Sequence, residues 1–227
     1  MKKLPTSPDA VSPSEPHKIT VIVIGPNGGG VRKTKTGLVF GSIASAAGHK
    51  VLYVCADAGI GSLSASLRVG GPYRVEQMPR EESDDYGETL IASAQARKEK
   101  FIIIDLGANA MLEGRTRRTI RKALSAVRAA GHRTFVVLSL IPGKVGLADD
   151  AYNFAGKLER SAKILVALHG RDAEGELGEF DELASDYDSF EMPTDHQGIL
   201  NLIAEAEITP LDWSLSPPPH YSLASGL

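Results

Sequence analysis

The feature that most constrains this chain is a repeated pairing. Short β-branched runs, apolar at nearly every position, alternate with stretches of helical spacing. The runs are Ile19–Ile24, Val51–Cys55, Phe101–Asp105, Thr134–Leu138 and Lys163–Leu168, with a weaker one at Tyr187–Met192 and a short additional strand at Tyr73–Gln77. A strand that is apolar throughout must be covered on both faces, which is the condition of a parallel sheet. Helical patterns fit Lys33–Ala47, Thr89–Lys98, Arg115–Ala130, Leu147–Arg160 and Gln197–Glu205. Together they predict an α/β fold with a single doubly wound, mostly parallel sheet flanked by helices. Gly48 and Gly131 fall just beyond two of these helices, where the chain needs a left-handed residue before the next strand. No internal repeat is present.

Composition narrows the classes. A chain of 227 residues can bury roughly 70–75% of its unfolded surface, so its core needs neither a disulfide nor a structural metal. The single cysteine, Cys55, excludes an intramolecular disulfide and Cys-rich zinc sites, and in its apolar run it reads as a small buried hydrophobe. With 25 Lys and Arg against 28 Asp and Glu, any nucleic-acid contact must use a local patch. Apolar runs such as Val21–Ile24 and Phe101–Ile104 are far short of the roughly 20 residues that span a bilayer. Met1-Lys2-Lys3 leads into prolines rather than an apolar h-region. The expectation is a soluble cytoplasmic chain without membrane insertion. Residues 1–17, rich in Pro and Ser, read as a flexible tail, and 214–227, with Pro217-Pro218-Pro219, as a Pro-rich C-terminal tail, leaving 18–213 as the folded domain.

In such sheets ligands bind outside the carboxyl ends of the strands. That selects the loops Gly25–Thr36, Ala56–Ser62, Leu106–Gly114 and His169–Asp172. The first contains Gly28, Gly29, Gly30, Val31, Arg32, Lys33, Thr34 and Lys35 and runs directly into a helix. Glycines let backbone N–H groups turn inward around an anion, and a helix N-terminus favours negative charge. A lysine at the helix start reaches β- and γ-phosphates, and the following hydroxyl ligates Mg²⁺, the places held by Lys33 and Thr34. A second carboxyl-edge residue, Asp105, ends the run Phe101–Ile104 where a carboxylate holds Mg²⁺ through water. Gly107 follows it and offers an N–H to a terminal phosphate.

These residues resemble the ParA/MinD family of P-loop ATPases, of SIMIBI type, whose deviant Walker A motif reads K-G-G-V-G-K-[ST]. Gly29-Gly30-Val31 and Lys33-Thr34 match it. Gly28 stands where the family has a signature lysine that reaches across a dimer, Arg32 replaces a glycine, and Asn27 replaces the opening glycine. The segment Val51–Leu63 is similar to the family's switch I strand and loop, with Asp57 on the aspartate that positions water in relatives and Cys55 in place of an earlier one. Asp57 suits helix capping equally well. Phe101–Ala108 looks like a Walker B strand and switch II. Arg171, Asp172 and Pro193 fall where relatives contact the purine, and the stretch from Pro142 to Asp172 is similar to the StbB/TraL accessory ATPases of mobile plasmids. The resemblance implies ATP and Mg²⁺ as cofactors, a homodimer formed around ATP, and a role in positioning, segregating or transferring DNA. With Gly28 lacking a cationic side chain, it implies slow or absent hydrolysis.

Charge adds one further candidate. Between Arg115 and Arg133 there are seven basic residues and no acidic one. At about 100° per residue Arg117, Arg121 and Arg128 share a face, with Arg118 and Lys122 beside them, and Ile120, Ala123, Leu124 and Val127 oppose them. Such a stripe is the footprint of non-specific DNA binding, or of an acidic partner protein; equally, it is an ordinary solvated face. Two other readings stay open. One is a non-hydrolysing adaptor that binds DNA or protein through 115–133, and the other a ligase of the dethiobiotin-synthetase type on the same fold.

Overall fold

The computed structural model describes residues 17–26, 29–56, 73–79, 81–108, 110–169 and 180–192. Along the chain these form β1 (Thr20–Gly25), α1 (Lys33–Ala46), β2 (Lys50–Cys55), β3 (Tyr73–Gln77), α2 (Tyr86–Arg97), β4 (Glu99–Asp105), α3 (Gly114–Ala129), β5 (Arg133–Leu140), α4 (Leu147–Leu158), β6 (Lys163–Leu168), α5 (Asp181–Asp186) and β7 (Asp188–Glu191). The strands make one seven-stranded sheet in the order β3-β2-β4-β1-β5-β6-β7, every neighbouring pair parallel. The doubly wound parallel sheet read from the sequence is therefore the fold.

Alternation along the central strands sorts their side chains between two cores. Val21 and Val23 of β1, Leu52 and Val54 of β2, and Ile102 and Ile104 of β4 face α2, α3 and α4. Ile22 and Ile24, Val51 and Tyr53, and Ile103 face α1. Two glycines let α1 lie close to the sheet. A Cβ on Gly37 would stand 3.3 Å from Ile103, and one on Gly41 would run into the Tyr53 ring. Tyr53 is fully buried, and that burial pushes its hydroxyl far above the ordinary tyrosine range.

Gly48 and Gly131 have φ of 78° and 80° at the ends of α1 and α3, as their spacing predicts. Helix α2 begins at Tyr86 rather than at Thr89. Gly87 looks like a breaker in sequence, but it sits where a Cβ would meet Ala123 O at 2.8 Å, so bareness is what lets α2 pack on α3. The short helix α5 had no sequence signal, and the expected helix Gln197–Glu205 lies outside the described residues. No helix among the described residues is long and apolar enough to cross a membrane.

β1 is flanked by β4 on one side and β5 on the other, and the chain leaves it through α1 toward β2. Its carboxyl end is thus the point where the winding reverses, the place where a crevice opens in this architecture.

Candidate phosphate-binding site

That crevice is a cavity of about 480 Å³. Gly29, Gly30, Val31, Arg32, Lys33, Thr34 and Lys35 line one side, and Cys55, Asp105, Leu106, Gly107 and Ala108 the other. The register explains the convergence: Asp105 pairs with Ile24 of β1 and with Cys55 of β2, so all three strands end at one level. Across the mouth, a Cβ on Gly29 would meet the Ala108 methyl at 3.6 Å.

Helix α1 opens on this cavity. Its cap residue makes no side-chain cap hydrogen bond, and its first turn holds no acidic residue. The first N–H groups of a helix have no partners within it, and its dipole places positive charge there. Lys33, a residue only 7% exposed, adds an ammonium. Val31, buried in the core, anchors the loop from below.

Thr34 Oγ1 donates a hydrogen bond to Asp105 Oδ2 at 2.7 Å. A hydroxyl and a carboxylate side by side are hard oxygen donors. Mg²⁺ takes such ligands, one or two from protein and the rest from phosphate and water, so the pair fits that ion. The sequence placed these two side chains on different elements, and the structure brings them together.

Arg32 occupies the left-handed region, with φ 62° and ψ 23°. A non-glycine residue there costs about 1–2 kcal/mol, so something must hold it. A buried cluster does so. Ser139 Oγ, on β5, donates to Val31 O at 2.6 Å, and Thr36 Oγ1 lies 3.1 Å from Arg32 O as its donor. His169 Nε2, at the end of β6, lies 2.8 Å from Thr36 Oγ1 and 2.9 Å from Ser139 Oγ. The single Ser139 proton is spent on Val31 O, so Nε2 must be the donor to Ser139, which leaves Nδ1 as the lone-pair nitrogen. Burial, then the charges of Arg32 and Lys35, push the His169 pKa down to about 4, which keeps the ring neutral. The cluster ties both carbonyls of the strained turn to β5, β6 and α1.

Of the residues singled out in the sequence, Gly29 to Lys35, Asp105 and Gly107 meet at the cavity. Gly28, Asp57, Arg171, Asp172 and Pro193 lie outside the described residues. Cys55 is buried and borders the cavity beside Asp105. Ser139, Thr36 and His169 were missed as a unit. Their only sequence signal was polar residues at the ends of two apolar strands and one helical turn into α1.

Helix α3 buries Ile120, Ala123, Leu124 and Val127 as its spacing predicts. Its basic residues divide into two sets. Arg118 makes a two-pronged pair with Glu82 at 2.7 and 2.9 Å, and Lys122 reaches Asp84 at 2.5 Å and Glu82 at 3.3 Å. Hydrogen bonding from Arg118 holds the Glu82 carboxyl down at about 2. Arg128 donates to Arg160 O at 3.0 Å. Among the described residues the ion pairs do not involve Arg117, Arg121 or Arg128.

No protein-family model matches the sequence, and no curated protein gives a significant sequence match. Solved structures do resemble it. A putative plasmid partition protein from Borrelia burgdorferi B31, bound to AMPPNP, aligns with a TM-score of 0.61 at 13% identity over 86% of this chain and 93% of that one. The MinD cell division protein of Aquifex aeolicus gives 0.58 at 17% identity, over 86% and 90%. A nucleotide-binding protein from Archaeoglobus fulgidus in complex with ADP gives 0.52 at 14% identity, over 87% and 91%. At these identities the likeness is one of fold. The chain has the α/β architecture of the P-loop NTPases of SIMIBI type, a parallel sheet flanked by helices.

Proposed function

We propose that this chain is an ATP-binding switch of the ParA/MinD kind, which dimerises around ATP·Mg²⁺ and acts in positioning, segregating or transferring DNA. The observation that carries this reading is the Thr34–Asp105 pair, which shares one cavity with Lys33 and the glycine loop that opens a helix. Lys33 neutralises the β- and γ-phosphates, Arg32 and Lys35 add positive charge, and the N–H groups of Gly29 to Val31 and of Gly107 face the phosphate oxygens. Gly28 is a further candidate from the sequence. Thr34 and Asp105 hold Mg²⁺, which supplies charge neutralisation across the phosphates. Arg171, Asp172 and Pro193 are the candidates for the base, and Asp57 for orienting water. Hydrolysis is slow or absent, because an added cation at the transferring phosphate is worth orders of magnitude in rate and position 28 brings none.

The test is calorimetry of the full chain with ATP·Mg²⁺, followed by turnover assays with and without DNA. Binding without brisk turnover is the expected result, and no binding at millimolar nucleotide would end the reading. The DNA arm is a salt titration: replacing Arg117, Arg121 and Arg128 by alanine should flatten the log–log slope by about 3 units. A second reading, a non-hydrolysing adaptor that docks DNA or a partner protein through α3, is favoured by one observation. Arg32 puts a bulky side chain on a left-handed turn of the loop.

A further inference from the structure

The loop between β5 and α4 carries a lysine side chain to the glycine loop. Ser139 fixes the end of β5 there through its 2.6 Å bond to Val31 O. Beyond Leu140 the chain turns through two left-handed glycines, Gly143 with φ 76° and Gly146 with φ 75°, and the Leu147 N–H closes on Lys144 O at 3.1 Å. This turn treats two neighbours in opposite ways: Val145 is 98% exposed, while Lys144 is half-buried. A Cβ built on Gly30 would lie 3.8 Å from Lys144 Nζ. Among the described residues no hydrogen bond or ion pair engages that ammonium. A lysine head held beside bare glycine gains no hydrogen bond from the glycine side chain, which has none to offer. An anion seated on the loop is the partner that position suits.

We propose that Lys144 is a second phosphate-contacting cation of this site, delivered by the loop after β5 to the rim formed by Gly29 and Gly30. The proposal rests on the nucleotide reading of the same cavity and adds a residue to it. That rim brings no side-chain charge of its own, since positions 29 and 30 are both glycine. Lysine suits the task because it is a compact charge on a flexible stem, able to follow a phosphate oxygen. With Lys33 at the start of α1 and Lys144 on the loop after β5, a polyphosphate on the glycine loop meets two lysines from different elements.

The experiment is calorimetric titration of the full chain with ATP·Mg²⁺ and, separately, with pyrophosphate, for the unmodified protein, Lys144→Ala and Lys144→Arg. Lys144→Ala should weaken ATP binding about tenfold, as loss of one charge-assisted hydrogen bond implies. Lys144→Arg should stay within about threefold, and the thermal midpoint of both variants should match the unmodified protein. Unchanged affinity in Lys144→Ala overturns the proposal. Should the unmodified chain bind pyrophosphate but not ATP, the nucleotide reading fails alone. Lys144 is then judged by whether Lys144→Ala weakens pyrophosphate tenfold or leaves it unchanged. Binding of neither probe to the unmodified chain overturns both.

Discussion

The glycine loop and helix α3 both gather positive charge, but they hold it differently. In the loop, Arg32, Lys33 and Lys35 border a concave cavity together with the uncapped start of α1, and Lys33 is buried. On α3 the charges ride on a convex, exposed face. Two of them, Arg118 and Lys122, are already spent on Glu82 and Asp84 of the same chain. A buried cation in a cleft keeps its field focused on that cleft. An exposed one is satisfied by whatever carboxylate the surface offers. Helix α3 carries six basic residues to the loop's three, yet the loop is the one whose charges border a cavity that a ligand can fill.

The sharpest way to break this contrast is Lys33→Ala, which should weaken ATP·Mg²⁺ binding at least tenfold while α3 variants leave that affinity intact. Calorimetry of both sets decides it. Next comes pH. The folded His169 titrates near 4 against an unfolded value of 6.5, so between those values the unfolded chain binds a proton that the folded chain does not. Stability therefore rises with pH across that window and is lost as pH falls through it, with a steepest slope of about 1.4 kcal/mol per pH unit. Denaturant midpoints should show this slope, and His169→Gln should flatten it.

Ser139→Ala removes the donor to Val31 O and an acceptor of His169, and should cost about 1–3 kcal/mol of stability in urea unfolding. Arg32→Gly should move the other way, stabilising the fold by about 1 kcal/mol through relief of the left-handed strain. A loss on Arg32→Gly would show that the arginine side chain, rather than its backbone, sustains the loop. The smallest effect is expected at α3. Glu82→Gln should leave the thermal midpoint unchanged, because the pairs it breaks are open to water. The double change Glu82→Gln with Asp84→Asn should instead steepen the salt dependence of DNA binding by nearly 2 units, as Arg118 and Lys122 become available to phosphates.

Much of this was legible in the sequence. Apolar runs placed the strands because a residue type that must be buried on both faces leaves few architectures. That the glycine loop, Lys33, Thr34 and Asp105 meet at one cavity was legible because loops at the carboxyl ends of neighbouring parallel strands converge. The onset of α2 was not, since Gly87 is explained by Ala123, a residue 36 positions away. The start of that helix could only be read once both helices were in place.

The sequence by itself determined the class of fold, the strand-end loops that hold the candidate site, and the face on which α3 packs. These follow from local periodicity and from side-chain chemistry, which neighbours in the chain suffice to express. Tertiary structure alone decided the rest. It drew Ser139, Thr36 and His169 into one cluster around a strained turn, brought Lys144 over Gly30, and set Glu82 and Asp84 against Arg118 and Lys122. Each of those contacts joins residues far apart in sequence, whose meeting depends on strand order and register, and neither property is written at any single position.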